Sequence, residues 1–142
     1  MRVILDTNVV SELRKIGAGR ADPAVSKWAG SRSRDDMYLS AITLFEVEVG
    51  IRRLQARDHV QAAMLRAWLD GKILVEFERR ILPIDSEVAR QAARAVAEWS
   101  LPLADALIAA TGLVHGLSIA TRNVRHFTRV SDLTVINPWD AL

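Results

Sequence analysis

Val3-Ile4-Leu5-Asp6-Thr7-Asn8 is the stretch on which the fold turns. Val3, Ile4 and Leu5 are apolar and mostly β-branched, and together they read as a short buried strand that stops at Asp6. Open α/β sheets bind ligands beyond the carboxyl ends of their strands, so an acid here stands where chemistry can be done. A turn residue capping the next helix explains Asp6 equally well, and these residues alone do not separate the two readings.

Outward from this strand, Asn8 to Lys15 is expected to be a short helix, residues 17–23 a loop, and Pro23 to Ala29 a second helix with Pro23 near its start. Arg32 to Asp36 is a polar loop and Met37-Tyr38-Leu39 a second strand. Ser40 caps a helix over Ala41 to Leu54, in which Ile42, Phe45 and Val49 mark one apolar face. Asp58 starts a helix running to about Lys72, with Met64, Leu65, Trp68 and Leu69 apolar. Ile81-Leu82-Pro83-Ile84 is extended, and its proline excludes a central strand position. Asp85 or Ser86 caps a helix from Glu87 to Trp99. Pro102 opens another, Leu103 to His115, which Gly116 ends. Leu117 to Thr121 and Thr134 to Ile136 are the last strands. Strands alternating with helices predict a parallel α/β sheet with helices on both faces, as one domain over residues 1–142.

Composition narrows the possibilities. Half of the 142 residues are hydrophobic and a quarter charged, which excludes disorder as the main theme. Cysteine is absent, so disulfides, thiolate zinc sites and thiol nucleophiles are excluded. No apolar run approaches the ~18 residues of a membrane span, and Asp6 interrupts the region where a secretory signal would be apolar. The expected compartment is therefore the cytoplasm. The 19 bases and 17 acids leave a net charge of +2. Only Lys15, Lys27 and Lys72 are lysine, and an excess of arginine by itself hints only weakly at phosphate recognition.

The functional signal lies in acids placed where a core should be apolar. Asp105 is the one Asp, Glu, Lys or Arg between Glu98 and Arg122, in a helix whose apolar residues point in nearly every direction. A buried carboxylate must be paired, protonated or bound to a cation. The plainer alternative is a helix-start acid favoured by the helix dipole. Glu46 leans toward the apolar face beside Phe45, and Gly50 leaves room one turn on. Glu48 points the other way and pairs with Arg52 as a solvated face. Thr121-Arg122-Asn123 follows a strand, so Thr121 and Asn123 can offer oxygen atoms beside Asp6. Thr7 and Asn8 are expected to orient Asp6, and Arg122, Arg125 and His126 to flank the site. Ser11 and Glu12 are expected near the site or on a helix surface, and the four tryptophans as packing anchors.

Like charges raise each other's pKa, and a hard divalent cation such as Mg²⁺ or Mn²⁺ relieves a cluster of carboxylates. With no cysteine nucleophile and no glycine-rich phosphate loop, metal-assisted phosphodiester hydrolysis is the natural reaction class. A receiver or phosphatase fold also places acids at strand ends. It needs a second acid close in sequence, however, and Asp6 has none before Glu12.

Four segments together resemble the PIN-domain family, and in it the VapC/FitB-type ribonuclease toxins: residues 3–13, Glu46 in its helix, residues 101–110 and residues 120–127. Val135-Ile-Asn-Pro-Trp139 resembles the ending of these proteins. The resemblance covers essentially the whole chain. It implies a three-layer α/β/α sandwich on a short, mostly parallel sheet, and a Mg²⁺-dependent endoribonuclease acting on structured RNA, often tRNA or rRNA. It implies Asp6 and Asp105 as principal metal ligands with Glu46 as third acid, a cognate antitoxin that blocks the site, and a homodimer. Asn123 stands where many members carry a fourth acid. An amide is the weaker ligand, which favours one metal over two. A PIN-like module that binds an antitoxin or nucleic acid without cutting is the alternative implied by that departure.

Overall fold

The structure, a computed structural model, describes residues 1–141. Five strands form one sheet: β1 (Val3–Leu5), β2 (Met37–Ser40), β3 (Ile81–Leu82), β4 (Ser118–Ala120) and β5 (Val135–Ile136). Their order is β3-β2-β1-β4-β5 and every pairing is parallel. The expected parallel sheet is thus present, and its edge strand β3 is the one next to Pro83. The order reverses direction between β1 and β4, and that is where open α/β sheets leave a crevice at their carboxyl ends.

Side chains of successive strand residues point to opposite faces. Val3, Leu5, Met37, Leu39 and Ala120 enter one core, beneath α1 (Thr7–Ile16), α2 (Pro23–Gly30), α3 (Ala41–Gln55) and α4 (His59–Trp68). Ile4 and Ile119 enter the other. That core is covered by α6 (Ser86–Trp99), α7 (Leu103–His115) and α8 (Val124–Phe127). All three residues of β1 are fully buried, which is why Val3-Ile4-Leu5 carries no polar alternation. Gly112 lets α7 lie close on the sheet: a Cβ there would stand 3.3 Å from the Leu117 carbonyl oxygen and 3.5 Å from Ile4 Cγ2.

Several expectations are corrected. In α3 the stripe against the first core is Leu44, Val47, Ile51 and Leu54; of the expected face, Ile42 packs against the second core, while Phe45 is 62% exposed. Both stripes satisfy helical spacing; packing against α4 and the sheet selects one of them. Leu103 and Met64 are likewise exposed. The helix opened by Asp58 does not run regularly to Lys72. It widens into a π-type turn at Leu69–Ile73 and continues as α5 (Leu74–Glu76). Leu69, Ile73 and Phe77 are all buried, and the wider turn keeps residues four apart on one side. Arg34–Asp36 forms a 3-10 turn in the expected loop, and α8 is a short helix that the sequence reading did not anticipate.

Candidate active site

Asp6 follows β1 and caps α1, where its Oδ1 accepts the Thr7 N–H at 2.8 Å. Its Oδ2 accepts the Thr121 hydroxyl at 2.7 Å and the Asn8 amide at 3.3 Å. Thr121 follows β4, the strand beside β1, so the crevice at the sheet's reversal brings together residues 115 positions apart. Asp6 is therefore both a helix cap and part of a polar cluster. The residue is only 5% exposed. Burial holds its carboxyl above the ordinary aspartate range; the hydrogen bonds from Thr121 and Thr7 pull it down, and the nearby Asp105 and Glu46 carboxylates push it further up.

The Thr7 hydroxyl turns away from Asp6 and donates to Glu46 Oε1 at 2.6 Å, lying 3.2 Å from the Thr43 hydroxyl. Thr7 thus links α1 to α3 and fixes Glu46 at the crevice. Thr43 is buried and was not singled out by the sequence; a threonine on a helix facing a strand-end acid was its one signal. Asp105 sits in the first turn of α7 with its side chain 15% exposed. Its Oδ2 lies 2.6 Å from His126 Nδ1. Asn123 stands apart. Its residue is exposed, its side chain does not cap α8, and its N–H donates to Thr121 Oγ1 at 2.9 Å.

Two other acids are resolved by the fold. Glu12 is buried, not on a helix surface, and accepts the Asp22 N–H at 2.7 Å and Lys15 Nζ at 3.1 Å. It pins the α1–α2 connection and is held below the ordinary glutamate range, chiefly by the Asp22 N–H. Glu48 pairs with Arg52 as expected and also with both terminal nitrogens of Arg66 on α4. Trp28 is buried, and Trp68, Trp99 and Trp139 pack against the two cores, so the tryptophans are packing anchors.

Two depressions adjoin the acids. Arg122, Asn123, Arg125 and His126 line a cleft of about 440 Å³ together with Asn137 and Asp140. A second groove of about 340 Å³ starts at Thr7 and Glu46 and runs over Val47, Leu54, Leu65 and Trp68, rimmed by Arg14, Lys15 and Arg57.

The donors around Asp6, Glu46 and Asp105 are oxygens, and neither Asp6 nor Glu46 has an ion-pair partner among the described residues. Such a set suits a hard divalent cation. Among the described residues, no three His, Asp or Glu side chains gather closely enough to hold an ion by themselves. Oxygen donors of this kind suit an open site whose shell is completed by water and other oxygens, and not a closed cage.

A parallel α/β sheet with acids just after β1 and on α3 and α7 near its point of reversal defines a class, and residues 3–133 match the PIN-domain model: the chain belongs to the PIN-domain family. Within that family it is similar to the VapC/FitB toxins. It is 38% identical to Toxin FitB of Neisseria gonorrhoeae, covering 96% of this chain and 98% of the relative. It is 34% identical to VapC ribonuclease Y4jK of Sinorhizobium fredii, covering 97% and 98%. The crystal structure of FitAcB from Neisseria gonorrhoeae superposes with a TM-score of 0.86 at 35% identity, covering 97% of this chain and 99% of that one.

Proposed function

We propose that this chain is a metal-dependent endoribonuclease, the toxin of a type II toxin–antitoxin pair, folded as a single PIN domain over residues 1–142 and working in the cytoplasm. The observation that carries this reading is the placement of Asp6 at the carboxyl end of the central strand β1, with Glu46 tied to its turn through Thr7 and the Asp105 charge near enough to act on its carboxyl. Asp6 and Asp105 would be the principal ligands of Mg²⁺, with Mn²⁺ able to replace it, and Glu46 the third acid. When bound, the ion supplies an activated water and neutralises charge developing at phosphorus. The chain's own residues do the rest. Thr7 and Thr121 fix Asp6, and the Thr7 hydroxyl holds Glu46. Asn123 stands apart from the three acids and supplies no carboxylate, which favours one tightly held ion. Arg122 and Arg125 line the cleft where an RNA strand, from tRNA or rRNA, would lay its phosphates.

A nuclease that cuts its own cell's RNA must be held off. The groove that begins at Thr7 and Glu46, apolar in its floor and basic at its rim, suits an amphipathic acidic segment of an antitoxin. The likeness to the VapC/FitB toxins supports a homodimer, held in a larger complex with the antitoxin.

The test is cleavage of total cellular RNA by the purified chain with Mg²⁺, Mn²⁺ or chelator, beside Asp6→Asn and Asp105→Asn. Discrete metal-dependent products, absent in both variants, are expected. Intact cleavage by the variants would overturn the site. A second reading, a module that binds without cutting, is favoured by the amide at Asn123. Calorimetry that detects no Mg²⁺ or Mn²⁺ binding near millimolar concentration would select it.

A further inference from the structure

One short segment touches both aspartates. Thr121, at its start, donates its hydroxyl to Asp6 Oδ2 at 2.7 Å; His126, at its end, sets Nδ1 2.6 Å from Asp105 Oδ2. Between them the Arg122 N–H donates to Asn8 Oδ1 at 3.3 Å, so the backbone is tied to the turn that carries Asp6. The next residue, Phe127, is fully buried in the core that contains α7, the helix of Asp105. His126 is therefore presented by an anchored helical turn. An ionised carboxylate only accepts, so against it Nδ1 is the nitrogen that donates. Among the described residues this is the only side-chain hydrogen bond that Asp105 makes.

We propose that His126 is a positioning residue for the cation site: by holding Oδ2 of Asp105 it orients the carboxylate and leaves Oδ1 free to serve as a ligand. The inference rests on the reading of Asp6, Glu46 and Asp105 as a divalent-cation site and adds a residue to it. Partners that hydrogen-bond a ligating carboxylate set the ligand's direction, and their loss typically weakens metal binding by about 10–100-fold.

The test is calorimetric titration of Mg²⁺ and Mn²⁺ into the parent protein and into Asp105→Asn, His126→Ala, His126→Asn and His126→Gln. The amide nitrogen of asparagine can stand where the ring Nδ1 stands, whereas that of glutamine reaches toward the place of Nε2. His126→Ala is expected to weaken binding by about 10–100-fold, and His126→Asn, not His126→Gln, to recover most of it. Unchanged affinity in His126→Ala would overturn the proposal. Tighter binding would overturn it too, by showing that the imidazole competes with the ion for Asp105. Recovery by glutamine in place of asparagine would shift the role to Nε2 and overturn it as well. If His126→Ala does not fold, as judged by circular dichroism, the asparagine and glutamine variants decide. If the parent binds neither ion, or Asp105→Asn binds as the parent does, the site reading itself fails and the proposal falls with it.

Discussion

At the scale of single residues, the burial of Asp6 carries a cost in stability. Its carboxyl is raised mainly by burial, so the folded chain binds that proton more tightly than the unfolded chain. The sign follows: stability is lost as pH rises from the ordinary aspartate value of about 4 toward the raised one, and above it the cost is complete. Asp6→Asn removes the cost while leaving an oxygen to accept the Thr7 N–H. In cation-free buffer at neutral pH the variant is expected to melt above the parent, and the gap to close as the buffer is acidified toward about pH 4. The same variant is expected to lose at least ~100-fold in RNA cleavage, measured on a labelled substrate at fixed Mg²⁺. A melting temperature below the parent's at neutral pH would instead make Asp6 a structural cap.

At the scale of elements, the helices show where local rules hold and where neighbours overrule them. Gly116 ends α7 in the left-handed region, as its sequence position suggests. Ser100 ends α6 in the same region at φ 55° without glycine's freedom. Ser100→Gly is expected to stabilise the fold by about 0.5 kcal/mol, read from urea unfolding, because it relieves a side chain from a conformation that disfavours it. Glu48 joins α3 to α4 at the surface, and Arg66 and Arg52 hold its carboxyl down to about 2. Its contribution is fully present above the ordinary glutamate value of about 4.3 and is lost as pH falls through that window toward 2. Glu48→Gln is expected to flatten the acid limb of a pH–stability profile there, with little change in cleavage. The sequence offered Arg52 as the partner because it lies one helical turn away. Arg66 lies 18 positions on, and only the packing of two helices brings it in.

At the scale of the whole molecule, the cation and the fold should be thermodynamically linked. An ion that binds only the folded chain stabilises it by mass action, by about 1.4 kcal/mol at ten times its Kd, or roughly 3–6 °C in melting temperature for a chain of this size. Mg²⁺ or Mn²⁺ is therefore expected to raise the parent's melting temperature by that amount, and to leave Asp6→Asn and Asp105→Asn nearly unmoved, in differential scanning fluorimetry with a chelator control. Equal shifts in all three proteins would place the ion elsewhere.

The sequence by itself determined the buried strand at Val3–Leu5, the acid at its carboxyl end, the alternation that makes a parallel sheet, and the anomaly of Asp105 in an apolar helix. These are properties of a segment and its near neighbours, so periodicity and composition record them. The tertiary structure alone decided that Thr7 reaches Glu46 across 39 positions, that His126 meets Asp105 across 21, and that Thr121 meets Asp6 across 115. It also turned Glu12 inward and Phe45 outward. Such contacts follow from strand order and from which of two equally spaced stripes packs. No local pattern encodes either, because the free energy that selects them comes from surfaces supplied by distant parts of the chain.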